Sequence, residues 1–336
     1  MTHPHPPARP RTGSSLVRTS LCTVLLASLL SGCALLTPSA VDPTPLDNGR
    51  LPTPDISVQL PQLGPCTDEA DNTIALDSSK PVTVLVHGCN GSAGRFRALA
   101  QLYAFHGQQA VCFSYDDRAS LVRVADQLNT AIGALSEKMR NREMTVIGHS
   151  MGGLVARKAM EGEQREAWKR DQLNVNLVTV SAPFSGIFAA NPCGSRSLHW
   201  ASLGLVPLAC KAVTGDNWHE ITATSDFIRR PGPLITSVQR YIKVVTDERE
   251  TCRRHNAAGR CVESDHIFSL AEQYQPVIDN YPRLANIEVA AGHVGIVGYK
   301  GVAPLQLISI LQQEGLMAAT SPEREGALRW LMAELY

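Results

Sequence analysis

The segment Gly148-His149-Ser150-Met151-Gly152-Gly153 holds a serine with a glycine two residues away on either side. A serine hydroxyl attacks a carbonyl only when a base takes its proton and backbone donors receive the oxyanion. The base is usually a histidine, itself oriented by a carboxylate. The flanking glycines allow a turn too tight for side chains, which lifts the hydroxyl clear of its surroundings. By itself a Gly-x-Ser-x-Gly match is a weak signal. Its context strengthens it. The apolar run Met144–Ile147 precedes it and Leu154–Met160, a good helix, follows, so Ser150 stands on a strand–turn–helix elbow. The first amides of that helix aim at the place where negative charge would develop.

The elements that must carry this elbow are legible as a rhythm. Short apolar runs recur at Val82–Val86, Ala110–Tyr115, Met144–Ile147, Val175–Val180, Tyr241–Val245 and Ile287–Ala290. Near-continuous β-branched runs suit strands buried on both faces. Between them lie amphipathic stretches such as Leu121–Met139, with Leu121, Val124, Ala125, Leu128, Ile132 and Leu135 at helical spacing. The alternation predicts an α/β fold, a mostly parallel sheet with helices on both faces. Ser321 and Pro322 open a last helix to Tyr336 as N-cap and first helical residue. Residues 184–236 interrupt the rhythm with several Gly and Pro, Cys193, Cys210 and scattered apolar groups. A segment that long predicts a cap with its own small structure.

Strand, elbow and helix together resemble the α/β-hydrolase fold family, and within it lipase- and esterase-like members with a Gly-His-Ser-Met-Gly-Gly elbow, over about residues 80–336. The resemblance implies Ser150 as nucleophile. His87-Gly88, directly after Val82–Val86, matches the family's oxyanion loop, so the backbone N–H groups of Cys89 and Met151 would form the oxyanion hole. Family order is serine, acid, histidine. His293, just past the last expected strand, matches the catalytic histidine. For the acid two positions match. Asp265, in Glu263-Ser264-Asp265-His266-Ile267-Phe268-Ser269, resembles the lipase acid loop and is the expected residue; Asp247, directly after Tyr241–Val245, is the alternative. Val180-Ser181-Ala182-Pro183-Phe184-Ser185-Gly186 resembles the family's strand-six turn, with departures expected to touch pocket lining.

The N-terminus carries an address. Arg9, Arg11 and Arg18 precede the apolar run Leu21–Leu30, and no acid appears before Asp42. That pattern is a secretory signal, too short for a stable transmembrane helix. It ends in Leu30-Ser31-Gly32-Cys33, which resembles the lipobox of bacterial lipoproteins and implies a signal peptide over 1–32 and lipidation of Cys33. Ala34 after it favours an outer-membrane destination facing the periplasm. Prolines 38, 43, 45, 52, 54, 61 and 65 predict a semi-rigid tether over 33–65, with the globular domain over 66–336.

Charge and cysteines narrow the class. The chain has 31 Lys+Arg and 31 Asp+Glu; loss of the signal removes three arginines and no acid, leaving 28 against 31. A nucleic-acid binder needs a basic face, so no nucleic-acid partner is expected. Nine cysteines suit an oxidising compartment. Cys252–Cys261 and Cys193–Cys210 are expected as local bridges, with Cys66, Cys89 and Cys112 supplying one more pair and an odd thiol. No His-Glu-x-x-His helix or paired Cys-x-x-Cys set appears, so neither metal nor cofactor is expected. The expected activity is hydrolysis of a small-molecule or lipid carboxylic ester through an acyl-enzyme. The alternatives are an acyltransferase or thioesterase with the same triad, or a non-catalytic envelope lipoprotein that uses the fold as a binding or assembly module.

Overall fold

The structure, a computed structural model, describes residues 52–162, 168, 172–202 and 205–336. The expected signal peptide and Cys33 lie outside the described residues. Among the described residues there are eleven strands: β1 (Ile56–Val58), β2 (Leu63–Gly64), β3 (Ile74–Leu76), β4 (Val82–Val86), β5 (Gln109–Phe113) and β6 (Glu143–His149) come first. Then follow β7 (Asn174–Val180), β8 (Val238–Asp247), β9 (Cys252–His255), β10 (Cys261–Ser264) and β11 (Leu284–Ala290). The longer helices are α1 (Arg97–Phe105), α2 (Leu121–Lys138), α3 (Met151–Ala159), α4 (Leu205–Thr214), α5 (Leu305–Gln313) and α6 (Glu325–Leu335).

Seven strands make the main sheet in the order β11-β8-β7-β6-β4-β5-β2. Neighbours from β11 to β5 are all parallel, and only the two-residue β2 at the edge is antiparallel, against β5. Strands β4, β5 and β6 are buried along nearly their whole length because helices cover both faces. Alternate residues feed two cores: Val84, Val146 and Val111 join α2 and α3 on one face, while Leu85, Ile147 and Cys112 join α1 and α5 on the other. The two-layer covering is what makes each of these runs near-continuously apolar.

The chain enters the fold earlier than its prolines suggest. Ile56–Val58 pairs with Ile74–Leu76, and Leu60 and Leu63 are buried in the core. Residues 56–65, expected in the tether, are therefore part of the fold. Pro61 and Pro65 flank a strand of only two residues at the sheet edge, where a missing N–H costs least.

Among the described residues, three disulfides join Cys66 to Cys112, Cys193 to Cys210 and Cys252 to Cys261, and Cys89 lies outside them. The first ties the entering chain to β5. The third staples β9 to β10, a two-stranded hairpin that projects after β8. The segment 184–236, between β7 and β8, holds short helices at Asn191–Gly194, Arg196–Ala201 and Asp226–Arg229 besides α4. It docks through Glu220, whose carboxylate accepts from Ser120 Oγ and from the Leu121 N–H at the start of α2.

Candidate active site

Ser150 lies between β6 and α3, at the helix N-cap, with φ 56° and ψ −126°, a backbone conformation that L residues rarely adopt. The surroundings impose it. A Cβ on Gly152 would stand 2.3 Å from the carbonyl oxygens of both Val86 and His87, and one on Gly148 would stand 2.3 Å from the Gly152 oxygen. Only glycine allows β4, β6 and α3 to meet that closely. The Ser150 N–H donates to Val180 O, which anchors the strained residue to β7.

The same approach brings the expected oxyanion loop to the serine. A Cβ on Gly88 would stand 2.8 Å from Ser150 Cβ and 3.3 Å from Ser150 Oγ, so Gly88 leaves the nucleophile unobstructed. The loop is braced: Tyr115 Oη donates to His87 O at 2.6 Å, and the His87 ring stacks on Tyr115 with centroids 4.3 Å apart. Burial holds the His87 imidazole below its ordinary pKa, so it is neutral and its Nδ1 donates to Gly88 O. Cys89 follows directly, and Met151 is the first residue of α3. Both expected oxyanion residues are therefore next to Ser150 or to the glycine that touches it.

His293 follows β11 and is buried beside the elbow. His149, the residue before Ser150, donates from Nε2 to His293 O at 2.8 Å, and the two rings lie 4.9 Å apart. Burial pushes the His149 imidazole down to about 3, so it is a neutral brace. Phe268 packs edge-on against His293 with centroids 4.8 Å apart.

The carboxylate at His293 comes from Glu248. Its Oε1 accepts from His293 Nδ1 at 2.8 Å and from Thr246 Oγ1 at 3.0 Å. Its Oε2 accepts the N–H groups of Ile267 and Phe268 at 2.6 and 2.8 Å. Four donors thus satisfy a fully buried carboxylate and fix its direction. The network extends through Thr246 to Ser181 Oγ at 2.7 Å and to the amide of Gln273. Ser181, just before the Ala182–Gly186 departure, is buried within this support.

Two sequence expectations are corrected here. Asp265 does not face the imidazole: its carboxylate accepts the N–H groups of Val294 and Gly295 and the guanidinium of Arg253. The loop after it does reach His293, but through the Phe268 ring and the two backbone amides that hold Glu248. Asp247 is still inside β8 and pairs with Arg249, whose hydrogen bonds hold that carboxyl down to about 2. The apolar run Tyr241–Val245 stops two residues before β8 does, so the first acid beyond the true strand end is Glu248. Strand length was the signal that could have found it. Among the described residues, no group of three or more His, Cys, Asp or Glu side chains could hold a metal ion.

The parallel sheet, the elbow after β6, the histidine after β11 and the acid after β8 form one recognisable order. By fold the chain is an α/β-hydrolase. A family model for Lecithin:cholesterol acyltransferase matches residues 99–193, the stretch that contains the elbow. No curated protein sequence matches the chain. Among solved structures, the mature form of the Bacillus licheniformis lipase BlEst2 is 14% identical, with 70% of this chain and 91% of that chain covered and a TM-score of 0.47. The Pyrococcus furiosus esterase Pf2001 is 14% identical, with 83% and 99% covered and a TM-score of 0.43. The type II thioesterase BorB from the borrelidin biosynthetic cluster is 16% identical, with 70% and 90% covered and a TM-score of 0.41. The fold assignment rests on the strand order and the elbow of this chain itself.

Proposed function

We propose that this protein is a serine hydrolase of carboxylic esters, with Ser150 as nucleophile, His293 as base and Glu248 as the acid that orients it. The observation that carries the reading is the buried Glu248–His293 hydrogen bond next to a strained Ser150. Glu248 accepts only, so Nδ1 of His293 carries the proton and Nε2 is left to accept one. His293 takes the Ser150 proton as Oγ attacks the ester carbonyl, and the Cys89 and Met151 amides receive the oxyanion. His293 then returns the proton to the leaving alcohol, and water, activated by the same imidazole, releases the acid.

An acyl or lipid ester is the substrate class that we favour. Phe188, Leu198, Trp200, Leu205 and Leu208 leave large apolar surfaces exposed on the cap segment. The lipobox resemblance at Cys33 supports a lipid-anchored enzyme of the bacterial envelope, facing the periplasm from the outer membrane. Turnover of p-nitrophenyl esters of increasing chain length tests the reading. Activity that rises with chain length and is absent from Ser150→Ala supports it, and no turnover of any ester overturns it in favour of a binding module. The match to the acyltransferase family model favours a second reading, discharge of the acyl-enzyme to an alcohol. Transesterification that outruns hydrolysis when an alcohol is added would select it.

A further inference from the structure

Asp265 and Arg253 do not touch the reacting atoms, yet they converge on the short loop that presents His293. The His293 N–H donates to Asp265 O at 2.9 Å. The Asp265 side chain then accepts the next two amides: Val294 N at 3.1 Å to Oδ1 and Gly295 N at 2.9 Å to Oδ2. On the other side of the histidine, a Cβ on Gly292 would stand 2.1 Å from Asp265 Oδ2. One aspartate therefore grips residues 292–295 on both sides of the imidazole.

Arg253 holds that aspartate. Its Nε and Nη2 both donate to Asp265 Oδ1, at 3.2 and 2.9 Å, while Nη1 donates to Glu263. The pair is largely shielded, with side-chain exposures of 19% for Arg253 and 4% for Asp265. Arg253 belongs to β9 and Glu263 to β10, the two strands stapled by Cys252–Cys261. Beside the loop lies an open pocket of about 250 Å³, lined by Arg253, Asp265, Gly292, Gly295, Tyr299 and Val302 among others. Packing is incomplete on that side of the loop, and the Asp265 and Arg253 hydrogen bonds are what hold it there.

We propose that the stapled β9–β10 hairpin is a positioning clamp for His293: the disulfide fixes Arg253, Arg253 fixes Asp265, and Asp265 fixes the histidine loop. The proposal rests on the reading of His293 as the base of Ser150. Without the clamp the loop can relax toward the pocket, and a misplacement of about 1 Å is worth about a hundredfold in rate.

The test measures kcat, KM and melting temperature for Arg253→Met, Arg253→Lys, Asp265→Asn, their double variant Arg253→Met/Asp265→Asn, Cys252→Ser/Cys261→Ser and Arg254→Gln. Arg254 shares the hairpin but pairs with Glu263 at the surface, 68% exposed, and serves as the control. The clamp predicts a kcat 10- to 100-fold lower in Arg253→Met and Asp265→Asn, with KM within twofold. It also predicts partial retention in Arg253→Lys, a double variant no worse than the poorer single, and a fall in the cysteine variant. Arg254→Gln should match wild type. Should Arg253→Met fail to fold, Arg253→Lys and Asp265→Asn carry the same readout. Wild-type kcat in the folded Arg253 and Asp265 variants, with only the melting temperature lowered, overturns the clamp while the triad stands. Turnover retained by Ser150→Ala overturns the active-site reading instead, and the clamp with it.

Discussion

Replacing Glu248 with glutamine tests the histidine's orientation at the level of single protons. The two side chains are nearly isosteric, so the fold has little reason to change. Backbone amides of Ile267 and Phe268 donate to Oε2 of Glu248 and need an acceptor there. In Glu248→Gln the amide oxygen must take that position, because turning the NH2 toward two N–H groups would leave three buried donors facing one another. The NH2 then falls where Oε1 now accepts from His293 Nδ1 and Thr246. An N–H aimed at Nδ1 demands the other tautomer, with the proton on Nε2, and such an imidazole cannot accept from Ser150. Loss of the correct tautomer in a serine–histidine–acid site lowers kcat about 10⁴-fold, which is about 5.4 kcal/mol in the barrier. The assay is steady-state hydrolysis of a p-nitrophenyl ester, with the melting temperature as the check on folding. KM should change little. Glu248→Gln within tenfold of wild type would mean that Glu248 does not set the His293 tautomer, and a 10⁴-fold loss in Asp247→Asn would return the acid to that residue.

Three further outcomes follow from the same geometry. Gly152→Ala forces a methyl group onto two backbone oxygens, so it should destabilise by about 3 kcal/mol or more and lower the melting temperature and activity together; calorimetry checks it. Loss of the Cys66–Cys112 bridge in Cys66→Ala/Cys112→Ala frees a separation of 46 residues, for which chain entropy alone gives about 4 kcal/mol, read as a lower urea midpoint. Acid should also destabilise the fold through His149. Its folded pKa, about 3, lies below the ordinary value of 6.5, so below pH 6.5 the unfolded chain binds a proton that the folded one refuses. Stability is therefore full above that pH and falls as pH drops toward 3. At pH 4.5 the loss from this group is about 3 kcal/mol at 1.36 kcal/mol per unit, and His149→Gln should flatten the dependence of the urea midpoint on pH.

Period and composition made the central strands readable because β4 to β8 each bury an apolar run, Val82–Val86 being buried throughout. The elbow was equally readable, since Gly148 and Gly152 answer a steric need that no other residue meets. The short β1, β2 and β3 left no such trace: strands of two or three residues between prolines have no period to detect. The acid was misassigned for a related reason. Thr246 and Asp247 are polar but continue β8, paired in register with Val289 and Ala290 of β11, so the strand outlasts its apolar run and delivers Glu248 instead of Asp247. Asp265 matched a sequence pattern because its loop does contribute to the histidine's surroundings, though through backbone amides and Phe268. The local bridges Cys193–Cys210 and Cys252–Cys261 followed from short separations. Cys66–Cys112 had no such guide, because only the edge pairing of Leu63–Gly64 with β5 brings those thiols together.

Activation by His293 and Glu248 should make Ser150 react with an electrophilic probe. Intact-mass spectrometry after exposure to a fluorophosphonate reads this directly. One adduct per chain is expected, found by peptide mapping on the segment that contains Ser150, absent from Ser150→Ala and formed far more slowly by Glu248→Gln. An adduct that persists in Ser150→Ala, or a wild-type protein that stays unlabelled while folded, would contradict Ser150 as the nucleophile.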